Sequence, residues 1–433
     1  RLEEYRRVAA FNRHRCGVDV SEISAAEVGQ LFPLCRTDDV LGGFYVPGDG
    51  RVNPVDAATA FAKGARMQGA TIVEGVAVDG VEVDGSGSAV RGVRLRDGRS
   101  IRCEYVVNAA GMWARSFAER AGVIVPNQAA EHYYLLTDAM DDVDPAWPVI
   151  EDPRNFTYIR PEGGGLMVGL FERDAAAWRV DGIPNDFAFG ELPPDWERMT
   201  PFVEAAMSRV PRTLEAGAKK FFCGPESFTP DLSPVIGEAP ELRNYFIAAG
   251  MNSIGILTGG GVGRLVAHWI KTGTPDLDIT AMRPSRFDAS HATPQFRRDR
   301  VVEALGVTYA CHYPYKTLKS ARNLKRSPVH AQLVAAGAAM RDVSGWESAD
   351  YFDPSGEVAS DEAHTWGRYS WFGHWEREHN AVRNDVGLID MSFMAKFDVV
   401  GEGAGALLNT ICTADVCGSG GGDTCADRIT YTQ

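Results

Sequence analysis

The sequence predicts a mixed architecture, α/β in one part and α+β in another, shared among two or three domains. Three observations carry that reading. Residues 244–270 run as strand, glycine turn and helix. Residues 1–121 set short apolar strands and amphipathic helices around a small antiparallel meander. From about residue 123 to 226 the pattern turns β-rich, with one helical insert. A chain of 433 residues, 45% hydrophobic and 24% charged, has the length and the globular composition for this division.

The elements follow from local chemistry. Residues 1–33 read as helical, with Ser21 and the Ser24-Ala-Ala-Glu27 box as start signals ahead of Leu31-Phe32-Pro33. A turn is expected over 47–50, then a helix that Pro54 opens, that runs through 57–68 and that Gly69 closes. Alternation over 71–83, a DGSGS turn, a strand at 90–95 and an Asp97-Gly98 hairpin predict the meander. Residues 105–111 form a strand ending in the small residues Ala109, Ala110 and Gly111, followed by a helix with Trp113, Phe117 and Ala121. Within 123–226 the segments 131–137, 155–172 and 195–210 stand out, and 163–165 is a glycine turn. Residues 244–249 suit a buried strand, and Gly250 lets the chain turn sharply. Asn252 and Ser253 are the expected N-caps of the next helix. In it Val262, Leu265, Val266, Trp269 and Ile270 keep helical spacing, and Gly273 with Pro275 ends it. Bare amides and the helix dipole make such an N-terminus a place for negative charge.

Composition excludes several classes. A net charge of −14 argues against nucleic acid or an anionic membrane as the main partner. No apolar run approaches transmembrane length. The eight cysteines are scattered, which suits a reducing compartment better than a disulfide scaffold. Cys412, Cys417 and Cys425 lack paired C-x-x-C spacing, and His364, His374 and His379 match no ligand template, so no metal is expected. Interdomain packing is the expected role of the aromatic run 366–375. Ser227 and Ser233 have no His and Asp arrangement for hydrolysis. Glycines 418–422 read as a loop tip. No G-x-G-x-x-G opens a βαβ unit, and the chain starts at Arg1 without a targeting segment.

The motifs GPESFTPD (224–231), IGEAPELR (236–243) and GMNSIG (250–255), followed by a helix with Gly259-Gly-Gly261, occur in that order. Together they resemble the flavin-binding region of glycine-oxidase-type FAD amine oxidoreductases, and most closely the sarcosine dehydrogenase and dimethylglycine dehydrogenase family. The resemblance covers nearly the whole chain. It implies a partial Rossmann-type FAD domain over 1–285 that includes a β-rich substrate domain at 123–226. A central linking domain at 286–345 and the start of a folate-binding aminomethyltransferase (T-protein-like) domain at 346–433 would follow. It also implies a fragment, inactive alone, with the dinucleotide fingerprint and a flavin-tethering histidine upstream and the rest of the folate site downstream.

The resemblance assigns residues as well. Flavin would lie against Ala109, Ala110, Gly111 and Trp113 and against the turn Gly250, Met251, Asn252, Ser253, Ile254 and Gly255, whose amides would meet the electron-rich pyrimidine edge of the reduced ring. For Ala109–Gly111 tight helix–strand packing is the alternative. Val78 matches a position whose backbone meets adenine; the alternative is an ordinary strand valine. His132 matches an active-site histidine that would help deprotonate the substrate amine, against the alternative of a half-buried strand histidine. Tyr158 matches a second active-site position, orienting the substrate carboxylate or relaying a proton, against the alternative of a strand tyrosine with an exposed phenol. Arg160, on the same strand face, would pair with a carboxylate or serve in a structural ion pair. Arg264 reads as exposed or helix-packing.

The implied reaction is oxidative N-demethylation of sarcosine or dimethylglycine, by hydride transfer to flavin. FAFGELPPDWE (187–197) and CGPESFTPD (223–231) resemble the sarcosine dehydrogenase branch most closely. In the full-length family the iminium carbon passes to tetrahydrofolate. Electrons would go to an electron-transfer flavoprotein or to oxygen, in the bacterial cytoplasm or the mitochondrial matrix. The alternative is a regulatory or scaffold relative of the same domain order.

Overall fold

The computed structural model describes residues 1–173, 175–355, 364–413 and 415–417, and the backbone of 428–432. Cys425 and the loop 418–422 lie outside the described residues. The chain divides into two compact units, residues 1–312 with 318–321, and residues 313–317 with 322–433.

The first unit opens with α1 (Leu2–Arg15), acidic in its first turn and basic in its last, as the helix dipole favours. Ser21 does not start a helix; it begins β1 (Ser21–Ile23). The Ser24–Glu27 capping box opens α2 (Ala25–Leu31), and β2 (Gly43–Tyr45) returns to pair antiparallel with β1. α3 (Pro54–Met67) has Pro54 in its first turn and an Asn53 cap, and buries none of its residues. The meander is β3 (Val78–Val83), β4 (Val90–Leu95) and β5 (Ser100–Arg102), all antiparallel. The strand expected from residue 71 begins only at Val78, because Ile72 and Val73 are exposed and their alternation has no face to bury. β6 (Val106–Asn108) is likewise shorter than 105–111. Gly111, at φ +56°, turns the chain into a 3-10 turn that includes Trp113, so α4 (Ala114–Glu119) excludes both Trp113 and Ala121.

A five-stranded antiparallel sheet follows. Its strands are β7 (Gln128–Thr137), β8 (Ile150–Asp152), β9 (Thr157–Glu162), β10 (Gly165–Leu170) and, after α5 (Trp196–Met207), β11 (Ala218–Phe228). Their spatial order is β11-β7-β10-β9-β8. One face packs Leu135, Ile159, Leu166 and Val168 against Met199, Val203 and Ala206 of α5. Burying each larger aliphatic there contributes about 1.5–3 kcal/mol. β12 (Val235–Glu238) and β13 (Tyr245–Ala249) form a second sheet with β6, in which β13 and β6 run parallel. Period-two alternation splits its faces. Tyr245 and Ile247 pack with Ala114 and Ala118, whereas Ile236 and Phe246 meet Leu265, Val266 and Trp269 of α6 (Gly255–Thr272). Gly273, left-handed at φ +83°, ends α6 as its position suggests. α7 (Pro294–Gly306), capped by Thr293, buries Phe296, Val301 and Leu305.

The second unit contains α8 (His330–Ala335), the hairpin of β14 (Ala338–Val343) and β15 (Trp346–Phe352), α9 (Phe372–Asn384), β16 (Lys396–Val400), α10 (Ala404–Ile411) and β17 (Arg428–Thr432). The aromatic run expected between domains is instead this unit's own core. Trp371 stacks on Tyr369 at 4.4 Å and on Tyr351 at 5.7 Å, and Ala339 packs with them. Offset stacks of this kind add about 0.5–1.5 kcal/mol beyond area burial, so the run holds its own unit together. Among the described residues no helix is long and apolar enough to cross a membrane, and no group of three His, Cys, Asp or Glu side chains could hold a metal ion.

Candidate active site

Because β6 and β13 are parallel, their C-terminal ends open onto one edge, the position where α/β sheets receive ligands. The two loops leaving that edge are 109–113 and 250–255. Buried Asn108 ties the strands together, donating to the Tyr245 hydroxyl and to the Ala114 carbonyl, each at 2.9 Å. Both loops are also tied to β11. Asn127 donates to the Gly111 carbonyl at 3.0 Å and to Ser227 Oγ at 2.9 Å. Ser253 Oγ donates to Glu226 Oε2. Asn252 Oδ1 accepts from the Thr229 amide at 2.8 Å, while its Nδ2 donates to the Gly250 carbonyl at 2.7 Å.

Those contacts correct the expected cap of α6. The N-cap is Ile254 and no side chain caps the helix. Asn252 and Ser253, left-handed at φ +50° and +67°, spend their side chains on β11 and its exit. The amides of Gly255, Ile256 and Leu257 therefore open the helix without intrahelical acceptors and without a cap. Gly250 is buried at φ +67°, and a Cβ there would lie 2.3 Å from Thr229 Cγ2, so the turn requires glycine.

A cavity of about 350 Å³ adjoins this edge. Met112 of the first loop lines it, together with His132 and Tyr134 of β7 and Phe222, Gly224 and Glu226 of β11; Phe187 and Phe189 stand at its wall. Register explains the grouping. Gly224 is opposite His132, so the period of two puts Phe222, Gly224 and Glu226 on the face that carries His132 and Tyr134. The His132 ring packs on Phe171 at 4.7 Å. Its Nε2 lies 3.9 Å from Glu226 Oε2, and its Nδ1 is buried with no hydrogen-bond partner among the described residues. Behind the sheet, Arg198 binds Glu172 at 2.9 Å and also Glu131, fixing β7 against α5. Burial nevertheless pushes the Glu172 carboxyl above its usual range, against the opposing pull of Arg198.

The remaining sequence candidates fall in different places. Tyr158 is outside the cavity lining. Its ring covers Gly169, where a Cβ would come within 2.0 Å, and lies 6.3 Å from Phe171, the residue packed on His132. Burial raises the Tyr158 phenol, which stays protonated and able to donate. Arg160 pairs with Glu162 at 2.8 Å, and Arg264 with Asp276 at 2.7 Å, so both serve ion pairs. Ala109, Ala110, Gly111 and Trp113 are exposed on the first loop. Val78 is exposed at the start of β3, opposite Leu95 on a separate sheet. Reading the sequence missed Glu226 and the aromatic wall. Their one local signal was the alternation Phe222, Gly224, Glu226, with a single charge on an otherwise apolar face.

An uncapped helix start at the ends of parallel strands, beside an aromatic cavity holding a carboxylate and an imidazole, suits a ring cofactor with an electron-rich edge. Nothing in the lining offers a paired nucleophile or a metal cluster. This is the architecture of a dinucleotide-type oxidoreductase. The chain belongs to the FAD dependent oxidoreductase family, whose model matches residues 1–269. Models of the FAD dependent oxidoreductase central domain and of the GCVT N-terminal domain match 272–327 and 329–431. The chain is 38% identical to a 4-methylaminobutanoate oxidase (formaldehyde-forming) of Paenarthrobacter nicotinovorans, over 96% of this chain and 49% of the relative. It is 34% identical to the mitochondrial sarcosine dehydrogenase of Homo sapiens, over 96% of this chain and 48% of the relative. It thus spans about half the length of these curated relatives. In fold it matches the L-proline dehydrogenase of P. horikoshii with a TM-score of 0.54 and 25% identity, over 65% of this chain and 74% of that one.

Proposed function

We propose that the full-length polypeptide removes an N-methyl group oxidatively from a small N-methylated amino acid, with FAD as the oxidant. Sarcosine and dimethylglycine are the substrates its motifs favour, and 4-methylaminobutanoate is the one named for a relative. The observation that carries the reading is that the turn leading into the uncapped start of α6 is tied through Ser253 to Glu226, which lines one cavity with His132 and with Met112 of the 109–113 loop. Bound FAD would take a hydride from the N-methyl carbon. In this reading the chain's residues bind, orient and move a proton. The amides of Gly255–Leu257 meet the electron-rich ring edge, and the small residues of 109–111 let the ring approach. Val78 serves the distal end of the cofactor. His132 accepts the ammonium proton, since oxidation needs the nitrogen lone pair. Tyr158, a protonated phenol packed on Phe171, positions His132 through that ring.

The domain limits 1–285, 286–345 and 346–433 belong to the same proposal. The oxidised carbon would pass to tetrahydrofolate held by the GCVT-type part, or leave as formaldehyde through attack by water. Electrons would continue to an electron-transfer flavoprotein or to oxygen. The test is the visible spectrum of the full-length protein, mixed anaerobically with each of the three amines. Bleaching of a yellow protein is expected. A colourless, folded protein would favour the non-catalytic alternative, and a yellow protein that none of the three bleaches would refute the demethylation reading.

A further inference from the structure

Phe189 stands at the wall of the cavity, yet its residue is wholly exposed, at 106%, and its backbone is left-handed at φ +51°. A single exposed aromatic is ordinary, but a positive φ at so bulky a residue is an outlier. Packing does not impose it, because a fully exposed ring packs on almost nothing. Backbone strain of this kind collects at ligand clamps and switch segments. The chain on either side is fixed. Phe187 packs on Trp178 at 4.8 Å, and its amide donates to the Pro184 carbonyl at 3.1 Å. Gly190 lies so close to Phe187 that a Cβ there would fall 2.4 Å from the ring. Beyond it, Glu191 pairs with Lys220 of β11 at 2.6 Å, and the Leu192 amide donates to the Cys223 carbonyl of β11 at 2.8 Å. Ala188 and Phe189, both exposed, are the short tip between these anchors.

We propose that Phe189 is the lid of the amine site: when a methylamine fills the cavity, the 188–189 tip leaves its left-handed conformation and lays the ring over the bound methyl and methylene groups. The inference rests on the reading of the preceding subsection and adds a residue to its site. A ligand moves a segment only through contacts that differ between two states. Here the closed state alone gives the ring an apolar surface to cover, formed by the substrate together with Met112 and Pro225 of the lining. Closure also relaxes the backbone of Phe189. A covered site keeps water from the oxidised carbon while it is held there, which is the usual work of such loops. The anchors at Phe187 and Leu192 confine the motion to the tip, so the sheet and the cavity floor need not move.

The test uses the full-length flavoprotein with 4-fluorophenylalanine in place of Phe189, its flavin reduced beforehand by dithionite so that no amine can be oxidised. Sarcosine, dimethylglycine and 4-methylaminobutanoate are each titrated in, with affinity read by calorimetry and the tip by fluorine NMR. The fluorine signal is expected to move at saturation and to lose most of its isotope shift between water and deuterium oxide. Phe189→Gly removes the ring and suits the left-handed backbone. It should keep the urea midpoint, since relief of strain offsets the freer unfolded chain, yet bind the amine about tenfold more weakly or worse. Phe189→Leu should retain part of that affinity. An amine that binds while the fluorine signal stays in place refutes the lid, a result that needs no truncated side chain. Equal affinity in wild type and Phe189→Gly refutes it too, as does failure of all three amines to bind. A lowered urea midpoint in Phe189→Gly would make the ring a structural one and overturn the proposal. Should the signal move with an amine that does not bleach the oxidised protein, the demethylation reading falls and the lid stands.

Discussion

Asn252 offers a test of how the turn before α6 is held. Its Oδ1 satisfies the amide of Thr229, a residue with no exposed surface, and its Nδ2 satisfies the Gly250 carbonyl. Its backbone is left-handed at φ +50°, a conformation that Asn tolerates better than Ala. Asn252→Ala leaves a buried amide without a partner, costing about 1–3 kcal/mol, and loses a second bond worth about 0.5–1.5 kcal/mol. The left-handed backbone adds about 1–2 kcal/mol for an alanine. The expected loss is thus about 2.5–6.5 kcal/mol. Asn252→Gly removes the backbone penalty but makes the unfolded chain more flexible, so it should recover only about 1 kcal/mol. Asn252→Asp keeps the acceptor and should lose about 0.5–1.5 kcal/mol, through the Gly250 contact alone. Equilibrium urea unfolding of the three variants, followed by tryptophan fluorescence, measures the series. An Asn252→Ala variant within about 0.5 kcal/mol of wild type, inside the range of ordinary surface substitutions, would refute this account of the turn.

Three further outcomes are expected. Gly169→Ala drives a methyl into the Tyr158 ring, which must move; a loss of about 1–3 kcal/mol in urea unfolding and slower flavin bleaching should follow, and an unchanged bleaching rate would remove Tyr158 from the site. Arg209 is buried and donates to Asp152 at 2.6 Å and to Asp39 at 2.7 Å, so Arg209→Met should cost about 3–5 kcal/mol at neutral pH by leaving carboxylates unpaired. The Arg209 hydrogen bond holds Asp39 below the ordinary aspartate value of 3.8; that part of the stability is complete above 3.8 and disappears as pH falls through the lowered value, so unfolding at acid pH should show a smaller penalty for the variant. His132→Ala should slow anaerobic bleaching by about 10²–10⁴-fold at saturating amine, the span of general-base contributions, and unchanged kinetics would exclude it as the base.

Local chemistry was legible where the chain acts on itself. Gly250, Gly273, the Ser24–Glu27 box and the Pro54 helix start stand where their backbone preferences place them. Asn252 and Ser253 misled because each has cap chemistry, yet each finds a partner far along the chain, at Thr229 and Glu226. A side chain cannot announce a tertiary partner through its neighbours. Glu226 escaped notice for the same reason, since it reaches His132 only through the register of β11 on β7. The aromatic run 366–375 was legible as packing material, but its partners Tyr351 and Ala339 come from the preceding hairpin. The alternation over 71–77 failed because periodicity shapes a strand only when one face can be buried.

The central claim is that flavin lies against the start of α6 and over the cavity of His132 and Glu226. Electron density for the flavin-loaded full-length protein tests it most directly. The account predicts the pyrimidine edge of the isoalloxazine within hydrogen-bonding distance of the Gly255–Leu257 amides, with the ring facing Glu226. A ring bound elsewhere, or one turned so that those amides meet only water, would contradict it.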